Sequence, residues 1–431
     1  MLILSILFAF ASSQKPAMRD FIGLNVHTVQ FKPDLYKPVT SVVRDYHPVV
    51  WDLGDNASNP TTFPMSQNRV NWLELYGGWK QKGYRIDVSA QVESVVPEKW
   101  TPANEFAYGE TFARYFGPSS LQPLVESVEI GNEPANFNDA QYRAMFENMV
   151  RGIRKGDPKL KIATCAVALG KNDKYSKDIA CLNGLESLVD VVNVHTYPFV
   201  EGYPTWRRSY PEDPGINYLK QAGKMIEWRD SHLPGRPVWV TEFGYDSTTK
   251  PNKKTGDFAK WVGNTDEEQA KYIVRSYLLF SAMDVEKAYL YFFNDKDEPQ
   301  LHGASGLTRD FKPKPSFYAV AHLQKTLGDY RFEKAVIRKQ DDIYIYQYRS
   351  INKANEFIWT VWSPTGSSRT SKAVLPNPNA KIVGAEQMPL IGGPTERVPY
   401  TIGPDGLIHI TIGEKPTYLF FQLDSRVGRS F

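Results

Sequence analysis

Short runs of β-branched and aromatic residues recur along the first three quarters of the chain, at 21–27, 41–47, 84–92, 125–133, 160–168, 190–197, 237–245 and 287–294. Such runs read as buried strands. Between them, apolar positions at helical spacing predict helices over 70–81, 139–155, 218–229 and 266–283. Asn138 or Asp139 can cap the second of these, and Thr265 with Glu268 three residues on forms a capping box for the last. Strand and helix in alternation imply a parallel sheet, and eight such units match the count and size of a (β/α)8 TIM barrel with insertions. A doubly wound open sheet is the alternative, but no glycine-rich phosphate loop follows the first run.

From Tyr330 onward the period shortens from helical to alternating. Strands are expected over 342–349, 356–362, 372–375, 407–412 and 417–423, with turns at 363–366 and 404–406. This predicts a small all-β antiparallel sandwich. The expected organisation is therefore a barrel over 14–328 followed by a C-terminal sandwich over 329–431. Trp359 and Trp362 suggest a sugar-binding module, but the short tie at 326–331 leaves little freedom and favours a structural accessory that packs against the barrel.

Residues 1–13 (MLILSILFAFASS) form a short apolar run ending in small residues. Although a basic leader region is missing, the run fits a secretory signal peptide and implies an extracytoplasmic protein. It is too short to span a bilayer, and no other stretch is apolar and long enough to do so. Lys and Arg total 51 against 48 Asp and Glu, a net charge of +3, which gives no electrostatic footprint for nucleic acid. The two cysteines, Cys165 and Cys181, are either two small buried hydrophobes or, in an exported chain, a disulfide. The seven histidines show no ligand spacing for a metal, so no metal or cofactor is expected.

In a barrel of this kind chemistry sits at the C-terminal ends of the strands. The fourth run closes on Glu129-Ile-Gly-Asn132-Glu133-Pro134 and the seventh on Thr241-Glu242-Phe243-Gly244. Each Glu is read as the last strand position, and the two carboxyls can meet across the central cleft. Their alternative is a pair of salt-bridged rim residues.

These two motifs, with 269–272 and 306–318, resemble the signatures of glycoside hydrolase clan A, nearest to family 39 and related polysaccharide-cleaving enzymes. The resemblance covers roughly residues 21–325. It implies a retaining double displacement on a β-linked polysaccharide or oligosaccharide, with Glu133 as acid and base and Glu242 as nucleophile. It further implies that Asn132 bonds the sugar hydroxyl beside the anomeric carbon, and that His195 or Tyr197, at the end of the sixth run, contacts the nucleophile or the sugar. Arg44 on the second run would supply positive charge beneath the nucleophile, or else pair with Glu129 or Asp45.

Where many clan members carry a Trp at the end of the eighth strand, this chain has Tyr291-Phe292-Phe293-Asn294. Phe293 is one replacement for the sugar platform. Rings on loops, namely Trp51, Trp100, Tyr203, Trp206 and Trp261, are others, with Trp206 favoured to line the cleft. Arg207 and Arg208 beside it could meet an acidic or sulfated sugar or be an ordinary solvated pair. The acidic stretch 295–298 is expected to be solvated, with calcium binding the alternative.

The expectation is a secreted, monomeric, endo-acting glycosidase. A non-catalytic carbohydrate-binding protein on the same barrel is the second reading.

Overall fold

The computed structural model describes residues 14–171, 174–340 and 342–423, so the proposed leader at 1–13 lies outside the described residues. Eight parallel strands form one sheet. They are β1 (Ile22–His27), β2 (Val42–Pro48), β3 (Arg85–Gln91), β4 (Ser127–Ile130), β5 (Lys161–Ala163), β6 (Val192–His195), β7 (Val238–Phe243) and β8 (Lys287–Leu290). They pair in the order β5-β4-β3-β2-β1-β8-β7-β6, and a parallel bridge from Ala163 to Val191 brings the two ends together. The sheet is therefore a TIM barrel. Its strands are buried nearly throughout, as a parallel sheet covered on both faces requires.

Around it lie α1 (Trp72–Gln81), α2 (Pro102–Phe116), α3 (Asp139–Gly156), α4 (Tyr218–His232), α5 (Asp266–Ala282) and α6 (Pro315–Leu327). Both α3 and α5 open with complete capping boxes, Asn138 with Gln141 and Thr265 with Glu268. Helices α2 and α6 were not among those expected, although α2 carries a readable start signal, the Thr101 cap followed by Pro102. Between β5 and β6 the described residues form no α-helix but a short parallel pairing of Val167–Ala168 with Lys177–Asp178 and 3₁₀ turns at Ile179–Leu182 and Glu186–Leu188. Helices α2 and α3 touch backbone to backbone. A methyl group added at Gly109 would meet the Met149 carbonyl, and one at Gly152 the Phe106 carbonyl.

The C-terminal part is a sandwich of two antiparallel sheets. Its strands are β9 (Tyr330–Lys339), β10 (Ile343–Ser350), β11 (Glu356–Trp362), β12 (Ser371–Leu375), β13 (Lys381–Gln387), β14 (Tyr400–Ile402), β15 (Ile408–Ile412) and β16 (Thr417–Gln422). The sheets run β9-β10-β11-β16-β13 and β12-β15-β14. Strand β9 escaped the sequence pattern because it is a charged edge strand, β13 because it is half-exposed and β14 because it is short. Among the described residues no helix is long and apolar enough to cross a membrane. Cys165 and Cys181 are free thiols.

Barrel and sandwich are joined by buried polar contacts. Glu212, on the loop after β6, accepts from Arg275 Nε of α5 at 3.0 Å and from Trp362 Nε1 of β11 at 2.7 Å. Arg275 also donates to the Thr365 carbonyl at 2.9 Å. Lys271 pairs with Glu414 at 2.9 Å. Trp359 and Trp362 are both buried, in keeping with packing rather than sugar capture.

Removing Glu212 leaves Arg275 charged and unpaired in the interior. Glu212→Ala should lower stability by about 3–5 kcal/mol in urea unfolding, whereas Arg207→Ala, which loses only an exposed pair with Glu201, should leave the midpoint unchanged.

Candidate active site

Strand β4 ends at Ile130, so Glu133 is not a strand residue but the third position of the turn that follows. Gly131 enters that turn with φ +80°, a conformation glycine adopts without strain. The backbone N–H groups of Asn132 and Glu133 both donate to Glu93 Oε1, at 2.8 and 2.6 Å. Glu93, from the loop after β3, thus clamps the turn that carries Glu133. Glu242 is the penultimate residue of β7.

The two carboxylates meet as the sequence suggested. One oxygen of Glu133, one of Glu242 and a ring nitrogen of His195 all lie within 4.8 Å of one another. His195 Nδ1 is 3.0 Å from Glu133 Oε1 and 3.6 Å from Glu242 Oε2. His195 contacts the carboxylates as the resemblance implied, and the three form a group among the described residues whose atoms are close enough to hold a metal ion. Both Glu242 oxygens are, however, already taken by hydroxyl donors, from Tyr46 at 2.6 Å and from Tyr197 at 2.9 Å, and His195 Nδ1 is engaged by Glu133. That donor set suits the sharing of protons.

The surroundings push the two carboxyls apart in acidity. Burial raises Glu133 above the ordinary carboxylate range and the nearby Glu242 charge adds to it, against an opposing hydrogen bond from His195. Burial acts on Glu242 in the same sense but is outweighed. The positive fields of His195 and Arg44 and the two tyrosine hydroxyls hold it below the ordinary range. For His195 burial opposes the charge, yet Glu242 and Glu133 together raise its pKa.

Arg44 acts from beneath. It is 1% exposed and donates through Nε and Nη2 to both oxygens of Glu129 at 2.8 Å, while Nη1 lies 3.5 Å from Glu242. Its two alternative roles therefore coexist, but it does not reach the cleft to bind substrate. Asn132 lines the cleft, and its carbonyl oxygen accepts from Arg44 Nη2 at 2.8 Å.

The cleft encloses about 470 Å³ above the carboxylates. Trp206 lines it, as do His27, Tyr291 and His302, which the sequence did not single out. Phe293 does not. It is fully buried against Tyr36 and Phe311, because β8 ends at Leu290 and the chain beyond it leaves the strand, so that Tyr291 faces the cleft and Phe293 the core. Trp100 and Trp261 are buried, and Trp51 packs on Trp72, whereas Tyr203 is 67% exposed beside Trp206.

Arg207 pairs with Glu201, and Arg208 is buried against Asp246 at 2.9 Å, so neither guanidinium is presented to an acidic sugar. In the acidic stretch Lys296 and Glu298 are exposed as expected, but the two aspartates are buried and paired. Asp295 pairs with Lys314 at 3.2 Å and Asp297 with Arg309 at 2.9 Å. Tyr46 and Glu93 escaped the sequence reading because each acts through a partner more than 35 positions away.

No family model matches the chain. A 235-residue stretch is 26% identical to a β-xylosidase of Geobacillus stearothermophilus, covering 50% of this chain and 44% of that enzyme, less than half its length. Among solved structures, a family 39 glycoside hydrolase from Bacteroides cellulosilyticus superposes with TM-score 0.70 at 16% identity, over 95% of this chain and 82% of that one. A family 30 subfamily 8 xylanase from Clostridium acetobutylicum gives TM-score 0.58 at 13% identity, over 96% and 98%. A family 51 α-L-arabinofuranosidase from Bifidobacterium longum gives 0.61 at 11%, over 95% and 97%. The chain thus resembles clan A glycoside hydrolases in fold.

A phenol that donates to a carboxylate favours its charged form. Tyr46→Phe should therefore raise the Glu242 pKa toward the ordinary range. Carboxyl ¹³C titration by NMR reads this directly, and an unchanged titration would remove Tyr46 from the account.

Proposed function

We propose that the protein is a retaining glycoside hydrolase acting on a β-linked glycan. The observation that carries this reading is the separation of the carboxyls. One oxygen of each carboxyl within 4.8 Å of the other is nearer the spacing of about 5–5.5 Å used for direct attack than the roughly 6.5–9.5 Å at which inverting enzymes hold a water between the groups.

In this mechanism Glu242 attacks the anomeric carbon while Glu133 gives its proton to the departing oxygen. A glycosyl ester on Glu242 results, and water, deprotonated by Glu133, then releases the sugar. The acidities follow the cycle. While Glu242 is ionised, its charge helps keep Glu133 protonated. Once Glu242 is esterified that charge is gone, the Glu133 pKa falls, and the same group serves as base. Asn132, oriented by Arg44, is the group for the hydroxyl next to the anomeric carbon, and Trp206 for a sugar face.

The finer reading is cleavage within a chain. Tyr203 and Trp206 extend an aromatic surface at the cleft rim, 6.4 Å apart between centroids, which supports binding of sugars beyond the cleavage point.

Reducing-end release across β-linked glucans, xylans, mannans, galactans and sulfated algal polysaccharides tests the proposal. Release from one class that falls by orders of magnitude in Glu242→Gln is expected. Folded protein inactive on all of them, yet retaining affinity for one, would favour the binding-protein reading instead. Oligomers as early products mark internal cleavage, and single sugars from the outset would refute it.

The pH profile of kcat/KM should be a bell. Activity is lost as pH falls through the lowered Glu242 pKa, which protonates the nucleophile, and as pH rises through the raised Glu133 pKa, which removes the acid. With an activated aryl leaving group, Glu133→Gln should lose the alkaline limb and keep the acid one.

A further inference from the structure

We propose that His302 is a substrate-binding residue, donating Nε2–H to an oxygen of the sugar in the cleft, with its tautomer dictated by Arg208. The proposal rests on the glycosidase reading. His302 belongs to the loop after β8, far from either Glu motif, and its ring lines the cleft between Tyr197 and Tyr291. The centroid distances are 4.6 and 5.5 Å, both edge-to-face. One of these neighbours, Tyr197, holds the nucleophile.

His302 Nδ1 lies 3.3 Å from Arg208 Nη2. A guanidinium has only donors, so Nδ1 must accept and the ring proton must sit on Nε2. Arg208 is fixed in this task. It is 5% exposed, pairs with Asp246 at 2.9 Å, donates to the Gly244 carbonyl at 3.1 Å and lies over the rings of Tyr197 and Phe199. Asp246 also accepts the His302 backbone N–H at 3.2 Å, closing a triangle.

A second proton on the ring would face the Arg208 charge. Burial and that charge lower the His302 pKa to about 4, against the opposing fields of Asp246 and Glu242, with His195 adding to the lowering. The ring therefore stays neutral across the working range of pH. Its Nε2, across the ring from Arg208, has no hydrogen-bond partner among the described residues. A side chain held in one tautomer, with its remaining donor free in a cleft, matches an acceptor-bearing ligand. Unlike a hydroxyl, it cannot reverse roles, so it demands an oxygen lone pair on the sugar and rejects a position where that oxygen is missing.

The test has two arms. Ring ¹⁵N spectra of the resting enzyme, assigned with His302→Gln, should show His302 as the neutral Nε2–H tautomer from pH 5 to 8. An Nδ1–H or doubly protonated ring would overturn the proposal whether or not a substrate is known.

The kinetic arm uses an aryl β-glycoside of the sugar released in the glycan panel, and its monodeoxy analogues. His302→Ala should lose about tenfold in kcat/KM, the size of one hydrogen bond, and His302→Gln, whose amide reaches a similar point, should recover most of it. One deoxy analogue should be about tenfold poorer for the wild type yet no poorer for His302→Ala. Additive losses at every position, or Gln no better than Ala in variants with wild-type melting curves, would overturn the assignment. Absence of any glycan cleavage would overturn the glycosidase reading and the sugar contact with it, while the tautomer would still report on the Arg208 pairing.

Discussion

A single buried guanidinium ties the barrel mouth together. Arg44 on β2 reaches Glu129 on β4 through two bonds, Asn132 in the turn beyond it, Asn25 on β1 at 2.7 Å and the edge of Glu242 on β7. Asn25 in turn donates to the Thr241 carbonyl, the residue before Glu242, at 2.8 Å. A charge so deep is costly unless each of its donors is matched, and here several strands must be in register for that to happen. The geometry of the carboxylates is thus a by-product of satisfying Arg44. Glu129 neutralises the charge, and enough of the field remains at 3.5 Å to help keep Glu242 ionised.

From that constraint the division of labour between the two glutamates follows. Both are buried, and burial alone would raise both. They differ because Glu242 looks onto Arg44, two phenols and His195, whereas Glu133 stands on a turn facing its negative partner. His195 sits between them and couples them, so proton movement at one site is felt at the other. The Glu93 clamp adds a different element. It fixes the backbone of Glu133 through two N–H bonds, without touching its carboxyl.

The barrel and the two motifs were legible because they rest on local signals. Strand runs, caps at Asn138 and Thr265, and the strand-breaking Pro134 and Gly244 near the two strand ends all act within a few residues. The exact placement of Glu133 was not, since β4 stops three residues earlier and the turn is set by Glu93 from another loop. Tyr46 and His302 were invisible for the same reason. Each gains its role from a partner brought close only by barrel closure. Phe293 was misread because it lies beyond Leu290, where β8 has already ended and the alternation of the strand no longer says which ring faces the cleft. The arginines at 207 and 208 looked alike in sequence, yet one is a solvated pair and the other a buried support for Tyr197.

The sandwich takes part in this arrangement although it is distant in sequence. The loop after β6 carries Trp206 and Arg208 to the cleft and then runs to Glu212, which is gripped by Arg275 of the barrel and Trp362 of the sandwich. A long excursion over a barrel mouth is ordinarily free to move. Here its far end is pinned in a buried ion pair, and its middle is held by the Arg208–Asp246 contact. The C-terminal sheets therefore limit the positions open to the aromatic rim. This gives a physical reason for a short, polar-bonded tie between the two parts, because a loosely tethered module would let that loop drift and the cleft wall with it.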